Sequence, residues 1–302
     1  MVTLPSNIDF DILIDNLRKI SWEAYDILIY YSQILRDTNK KNKIIENHNK
    51  DNPVTLADLK VNELIINGIK EKYKNINWEI LSEENEKVHS SEGNLNSDWI
   101  WILDPLDGTK DFIQGTGNYA MHLALNYKNK PYIGIVLIPE KNELWISTRS
   151  RAWCENRNQV QKNPNLLRNR DFGDMIIATS KNHRNEVLRK LINLINFKKV
   201  SVIGSVGCKV SSILRGESDI YISLSLPGGS APKDWDFAAP SAILIASGGA
   251  ITNLDNEELT FNQRNFEQRG IIIASSDKKH HYKICSKIKE IIREYDLYPL
   301  NA

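Results

Sequence analysis

Trp99-Ile-Trp-Ile-Leu103 is an apolar, strand-like run that leads directly into Asp104-Pro-Leu-Asp107-Gly-Thr109. Two carboxylates three residues apart at a strand end can converge on one point, because Pro105 holds one φ angle and Gly108 permits a tight turn. They repel each other unless a cation lies between them. Hard oxygen donors favour Mg²⁺, Mn²⁺ or Ca²⁺ over Zn²⁺. Backbone N–H groups at Gly108 and Thr109, where a helix could open, suit a phosphate. Taken alone, the segment reads equally well as a type I turn with an Asp cap, since Asp-Pro and Asp-Gly pairs are common in turns.

Three further segments carry carboxylates at element ends. Leu81-Ser-Glu83-Glu84 places an acidic pair just after a strand, where sites form in α/β proteins. Glu84, Glu86 and Glu92 also fit a solvated acidic loop. Pro53-Val-Thr55-Leu-Ala-Asp58 puts a carboxylate one turn into a helix, where favouring the helix dipole is the plainer role. Lys233-Asp-Trp-Asp236-Phe-Ala-Ala-Pro240 opens an apolar helix at Asp236, which an N-cap role explains by itself. Of the six histidines, His183 is the one read as functional. His122 reads as a packed strand residue, and His48, His89, His280 and His281 as solvated.

The elements that must position these groups follow from periodicity. Residues 9–36 repeat apolar side chains at helical spacing, and Thr55 opens a second helical pattern running to Tyr73. The stretch 37–52, almost all Asn, Lys, Asp and Glu, reads as a solvated loop. Strands are expected at 78–81, 99–103, 119–127, 131–138 and 143–148. The second half alternates: strands at 176–178, 200–203, 220–224, 250–253 and 270–274, and helices at 184–195, 205–215, 236–247 and 278–294. The polar stretch 156–172 is the expected boundary, giving halves of 1–160 and 161–302 in a layered α/β (α+β) protein.

Composition narrows the function classes. The 302 residues carry 39 basic and 38 acidic side chains, a net charge of +1. That balance argues against a nucleic-acid partner or a basic membrane binder. Three scattered cysteines without C-x-x-C argue against a disulfide framework and point to the reducing cytoplasm. No signal-peptide pattern is seen at the N-terminus. The longest uncharged stretch, 237–254, holds Pro240, Gly248 and Gly249, and reads as buried helix, stop and strand rather than a membrane span.

Together, Thr55-x-x-Asp58, Ser82-Glu-Glu84, Asp104-Pro-Leu-Asp107-Gly-Thr109 and Trp235-Asp236-x-Ala-Ala-Pro240 resemble the inositol monophosphatase superfamily, in its order and over about residues 10–275. Asp104 to Phe112, Ser180-x-x-His183 and Gly204-Ser-Val-Gly-Cys-Lys209 look like its 3′(2′),5′-bisphosphate nucleotidase branch. The resemblance implies an αβαβα sandwich of the inositol monophosphatase and fructose-1,6-bisphosphatase type. It implies two or more Mg²⁺ ions held by Glu83, Asp104, Asp107, Asp236 and the Leu106 carbonyl. Asp58 and Thr109 would orient and deprotonate the attacking water. Gly108, Thr109, Ser180, His183, Ser205, Lys209 and Asp236 would contact the substrate. That substrate would be adenosine 3′,5′-bisphosphate, with 3′-phosphoadenylyl sulfate as a second, in sulfate assimilation. Inhibition by Li⁺ and Ca²⁺ is implied as well. One departure is Tyr221-Ile-Ser223, where some members carry an Arg that holds the second phosphate; Lys233 is a candidate to compensate.

Other readings are weaker. Gly115-x-Gly117-x-x-Ala120 fits a dinucleotide fingerprint but does not open a helix. The aspartyl-nucleophile pattern Asp-x-Asp-Gly-Thr has a different carboxylate spacing. An inositol or sugar phosphatase would share the metal site, since substrate choice lies in the second half. A non-catalytic nucleotide and metal sensor would be expected to have lost Asp58, Thr109 or a ligand, and all are present.

Overall fold

The computed structural model describes residues 4–5, 8–36, 44–47, 54–86, 95–148, 150–168, 170–180 and 185–300. His48, His89, Glu92, His183 and most of the 37–52 segment lie outside these residues. In chain order the main elements are α1 (Phe10–Leu35), β1 (Ile45–Asn47), β2 (Val54–Thr55), α2 (Leu56–Lys72), β3 (Glu79–Ser82), β4 (Trp99–Asp107) and α3 (Thr109–Gln114). Strands β5 (Ala120–Tyr127), β6 (Lys130–Ile138), β7 (Glu143–Ser147), β8 (Ala152–Glu155), β9 (Gln161–Lys162) and β10 (Ile176–Thr179) follow. The remainder is α4 (Glu186–Ile195), β11 (Lys199–Val202), α5 (Val206–Leu214), β12 (Ile220–Leu224), α6 (Asp234–Ala246), β13 (Ala250–Asn253), β14 (Ile271–Ser275) and α7 (His281–Glu294).

Two sheets organise the chain. The first has the order β3-β4-β5-β6-β7-β8-β9, antiparallel except for the parallel β3–β4 pair. The second has the order β11-β10-β12-β14-β13. The first sheet extends to Lys162, inside the polar stretch 156–172. Short strands β8 and β9 were not expected; their alternation is too brief to separate from the polar stretch around them. Within 37–52, Ile44 is buried and Ile45–Asn47 pairs with Val54–Thr55, so part of that segment is ordered chain rather than solvated loop.

Alternation along β4 shows the layers. Trp99, Trp101 and Leu103 pack with α1 and α2 through Leu13, Leu17, Val61 and Ile65. Ile100 and Ile102 face the opposite way, onto α5, α6 and the inner face of the second sheet. The outer face of that second sheet, with Ile177, Ile220, Ile222 and Ile273, is covered by α4 and α7. The result is helix, sheet, helix, sheet, helix. With helices on both faces, strands read as continuous apolar runs, which is why β4 lacks a polar stripe. Helix α6 lies so close to β6 that a Cβ on Gly134 would come within 2.6 Å of Ala242 Cβ and 2.8 Å of Ala239 O. Among the described residues, no helix is long and apolar enough to cross a membrane.

Candidate active site

The site forms where β4 breaks its own register. Asp104 pairs with His122, and Asp107 pairs with Ala120, so three steps on β4 match two on β5. In a regular strand, residues three apart point to opposite faces. The bulge at Pro105 re-aims one of them, a common use of bulges beside functional sites. Asp104 and Asp107 each place a carboxylate oxygen in a group with Asp236, all within 4.8 Å of one another. Asp236 comes from the first turn of α6. It is not the N-cap, as the sequence suggested: Lys233 is, and the Lys233 N–H donates to Asp236 Oδ2 at 2.6 Å. The carboxylate is thereby clamped to the helix start by one oxygen.

Glu83 follows β3 in a single 3₁₀ turn capped by Ser82. Burial pushes its carboxyl well above the usual range, and Asp236, Asp58, Glu84 and Asp107 push further. Asp104 is raised likewise by burial, then by Glu83, Asp107 and Asp236. Asp236 is raised to about 7 by burial and by Asp107. These groups repel one another in a buried place, and their donors are all hard oxygens. The arrangement therefore fits a divalent cation of the Mg²⁺ class.

The sign of the pH dependence follows. Carboxyls with raised folded-state values bind more protons folded than unfolded. Their stabilising contribution is complete below about pH 4 and is lost as pH rises to about 7. In EDTA, the melting temperature is expected to fall between pH 5 and 8. A saturating divalent cation should restore it at pH 8 and do little at pH 5, because binding needs the ionised carboxylates. Thermal unfolding at both pH values checks this, and a metal-free melting temperature that rises over that range contradicts it.

Beside the cluster, Asp58 is the third residue of α2 and closes a capping box with Thr55. The Thr55 N–H and hydroxyl donate to Asp58 Oδ2 at 2.8 and 2.5 Å. Oδ1 is left facing the Thr109 hydroxyl at 3.3 Å, which also lies 3.0 Å from the Leu106 carbonyl. Burial raises Asp58 to about 7. Gly108, just before Thr109, has φ +89°, and a Cβ there would come within 2.9 Å of Asn118 O and 3.3 Å of Ser205 Cβ. The turn thus needs glycine both for its conformation and for the approach of the second half.

That approach is made by the start of α5. Ser205 has φ +49°, a strained conformation of the kind that clusters at functional sites. Its hydroxyl donates to Asp107 Oδ2 at 2.6 Å, and the N–H groups of Val206 and Gly207 converge on the same oxygen. A first-half carboxylate therefore sits on the N-terminus of a second-half helix. Lys209 is 2% exposed, with Nζ donating to the Ser205 carbonyl at 2.9 Å and lying 5.1 Å from the Tyr221 ring centre. Burial lowers its pKa, partly offset by Asp107. Ser180 is half-buried, just past β10. Lys233 is not a free cation: its Nζ pairs with Glu86 and donates to the Asn265 carbonyl.

One histidine differs from its sequence reading, and another keeps it with unexpected neighbours. His281 is buried, between Ser275 Oγ and Thr252 Oγ1, not solvated. His122 is buried, but in the seam of the site: Nδ1 lies 3.2 Å from the Trp235 carbonyl and Nε2 3.3 Å from Asp107 Oδ2. Strand alternation placed it inside; only the packing of α5 and α6 reveals its neighbours.

Comparison with known proteins agrees with this geometry. The profile described as Inositol monophosphatase family matches residues 16–293. A curated relative from Salmonella typhimurium, 3′(2′),5′-bisphosphate nucleotidase CysQ, is 27% identical over 219 residues, 71% of this chain and 81% of its own. The protein of the same name from Haemophilus influenzae is 29% identical over 235 residues, 76% and 82% of the two chains. The solved structure of inositol monophosphatase-II from Staphylococcus aureus superposes with a TM-score of 0.71 at 21% identity, covering 94% of this chain and 96% of its own. The chain belongs to the inositol monophosphatase family, a family of phosphatases.

Proposed function

We propose that this phosphatase is Mg²⁺-dependent and hydrolyses the 3′-phosphate of adenosine 3′,5′-bisphosphate to give AMP and inorganic phosphate, with 3′-phosphoadenylyl sulfate as a second substrate. The role would be disposal of a by-product of sulfate assimilation in the cytoplasm. The observation that carries the chemistry is the Asp58–Thr109 pair placed beside the acidic cluster. The names of the curated relatives support the substrate.

Asp104, Asp107, Asp236, Glu83 and the Leu106 carbonyl would hold the cations. Once bound, these would supply positive charge to the phosphoryl and leaving oxygens and acidify water. The chain's own residues do the rest. The Thr109 hydroxyl donates toward Asp58 and can therefore accept a hydrogen bond from water, orienting it. Asp58, near neutrality, receives the proton through Thr109. Water's oxygen bonds to phosphorus as the P–O bond to the ribose 3′-oxygen breaks, and that oxygen leaves as the alkoxide and takes a proton from solvent water, while Asp58 returns its proton to solvent before the next turnover. No covalent phosphoenzyme is needed.

A second reading, an inositol or sugar phosphate as substrate, is favoured by a specific observation. Lys209 and Lys233 are both engaged within the protein, and the chain has Tyr221-Ile-Ser223 on the strand where some family members carry an Arg. The test is phosphate release with Mg²⁺ from adenosine 3′,5′-bisphosphate, inositol 1-phosphate, inositol 1,4-bisphosphate and fructose 1,6-bisphosphate in parallel. A clear preference for the nucleotide is expected. A preference for an inositol or sugar phosphate would leave the metal chemistry standing and overturn the roles given to Ser180, His183, Ser205 and Lys209.

A further inference from the structure

We propose that His122 is a positioning residue that aligns Asp107 with Asp236 across the seam between the two sheets. The inference rests on the reading of both aspartates as cation ligands. His122 is 0% exposed on β5, opposite Asp104 in the strand register. Its ring touches three segments at once. Nδ1 meets the carbonyl of Trp235, the residue before Asp236. That carbonyl can only accept, so the Nδ1 proton points to it. Nε2 approaches Asp107 Oδ2 to 3.3 Å, but off the line of a hydrogen bond, and it makes no hydrogen bond among the described residues. Buried polar atoms are rarely left so, and one aimed at a functional carboxylate calls for a reason.

The third contact is with α5. A Cβ on Gly207 would lie 2.3 Å from His122 Nε2 and 3.0 Å from Cδ2. The first turn of α5, whose Val206 and Gly207 N–H groups hold Asp107 Oδ2, is therefore shaped around this ring. One imidazole thus sets the spacing between the bulge that carries Asp107, the turn that carries Asp236 and the helix end that orients Asp107. A leucine of similar bulk fills the space but loses the hydrogen bond from Nδ1 to the Trp235 carbonyl.

The test is Mn²⁺ binding to the purified full chain, read from the electron paramagnetic resonance signal of free Mn²⁺. Residues that orient ligands are worth about 10–100-fold in metal affinity. His122→Leu is expected to weaken binding at least tenfold, and to raise the Mg²⁺ half-saturation of turnover with kcat at saturating Mg²⁺ little changed. His122→Asn, which keeps a polar donor, should recover part of the loss. Gly207→Ala keeps the histidine but displaces its ring, and should weaken binding in the same direction even if His122→Leu proves too unstable to isolate. Wild-type affinity in folded His122→Leu or in Gly207→Ala overturns the proposal while the metal site stands. Absence of Mn²⁺ binding by the wild type overturns the metal reading itself.

Discussion

Replacing Asp58 with Asn is expected to lower turnover by about 10²–10⁴-fold, the range for loss of a general base, while divalent-cation binding stays near wild type. The reason is directional. Asp58 Oδ2 is held by Thr55 through two hydrogen bonds, so an Asn there would keep its carbonyl oxygen at the cap and turn its NH₂ toward Thr109. The Thr109 hydroxyl, now receiving a donor, must direct its own proton to the Leu106 carbonyl, 3.0 Å away. It can then pass no proton onward, and the amide could not take one. Stability should not suffer, because the substitution removes a buried charge and preserves the cap. Steady-state turnover of adenosine 3′,5′-bisphosphate, with Mn²⁺ binding measured on the same preparation, checks the split. Turnover near wild type would remove Asp58 from the mechanism, whereas joint loss of binding and turnover would make it a ligand instead.

Much of this arrangement could be read in the sequence because its local chemistry is self-contained. Thr55-x-x-Asp58 is a capping box whatever surrounds it, and α2 begins there. The apolar runs of β4, β5 and β6 are long enough to survive loss of alternation. What was not legible depends on packing between distant segments. The convergence of Asp104 and Asp107 was legible from Pro105 and Gly108, but not the device that achieves it: the bulge against β5 is a pairing event no single segment encodes. Asp236 looked like an N-cap because Asp commonly is one. The chain instead starts α6 at Lys233, leaving Asp236 clamped and pointing to the cluster. His122 carried no motif, since its partners, Trp235 and Asp107, lie 113 residues later and 15 earlier. The burial of Lys209, with Nζ donating to the Ser205 carbonyl over the Tyr221 ring, was likewise not legible, because it depends on how α5 packs between the two sheets.

The cluster's mutual repulsion leads to the second large effect, which separates stability from activity. Asp104→Asn is expected to reduce Mn²⁺ affinity and turnover by more than the roughly 10–100-fold of an orienting residue, yet to raise the melting temperature of the metal-free protein at pH 8. Asp104 is 2% exposed and its carboxyl is pushed well above the usual range by burial, Glu83, Asp107 and Asp236. At pH 8 the folded state carries that unfavourable charge without a cation to offset it. Asn keeps an oxygen to accept from the Leu106 N–H, now at 3.0 Å, so the bulge need not collapse. Each kcal/mol of repulsion relieved is worth about 2 °C in a chain of this size. The two melting curves should therefore cross: the variant higher in EDTA, the wild type higher with saturating Mg²⁺. A variant that melts lower in both conditions would show that Asp104 is held for its hydrogen bond. One that gains as much from Mg²⁺ as the wild type would place the cation elsewhere. Sites that store repulsion for a ligand generally trade stability for function in this way, and here the stored term is three carboxyls of one charge, Glu83, Asp104 and Asp236, held in a buried place with Lys209 beside them.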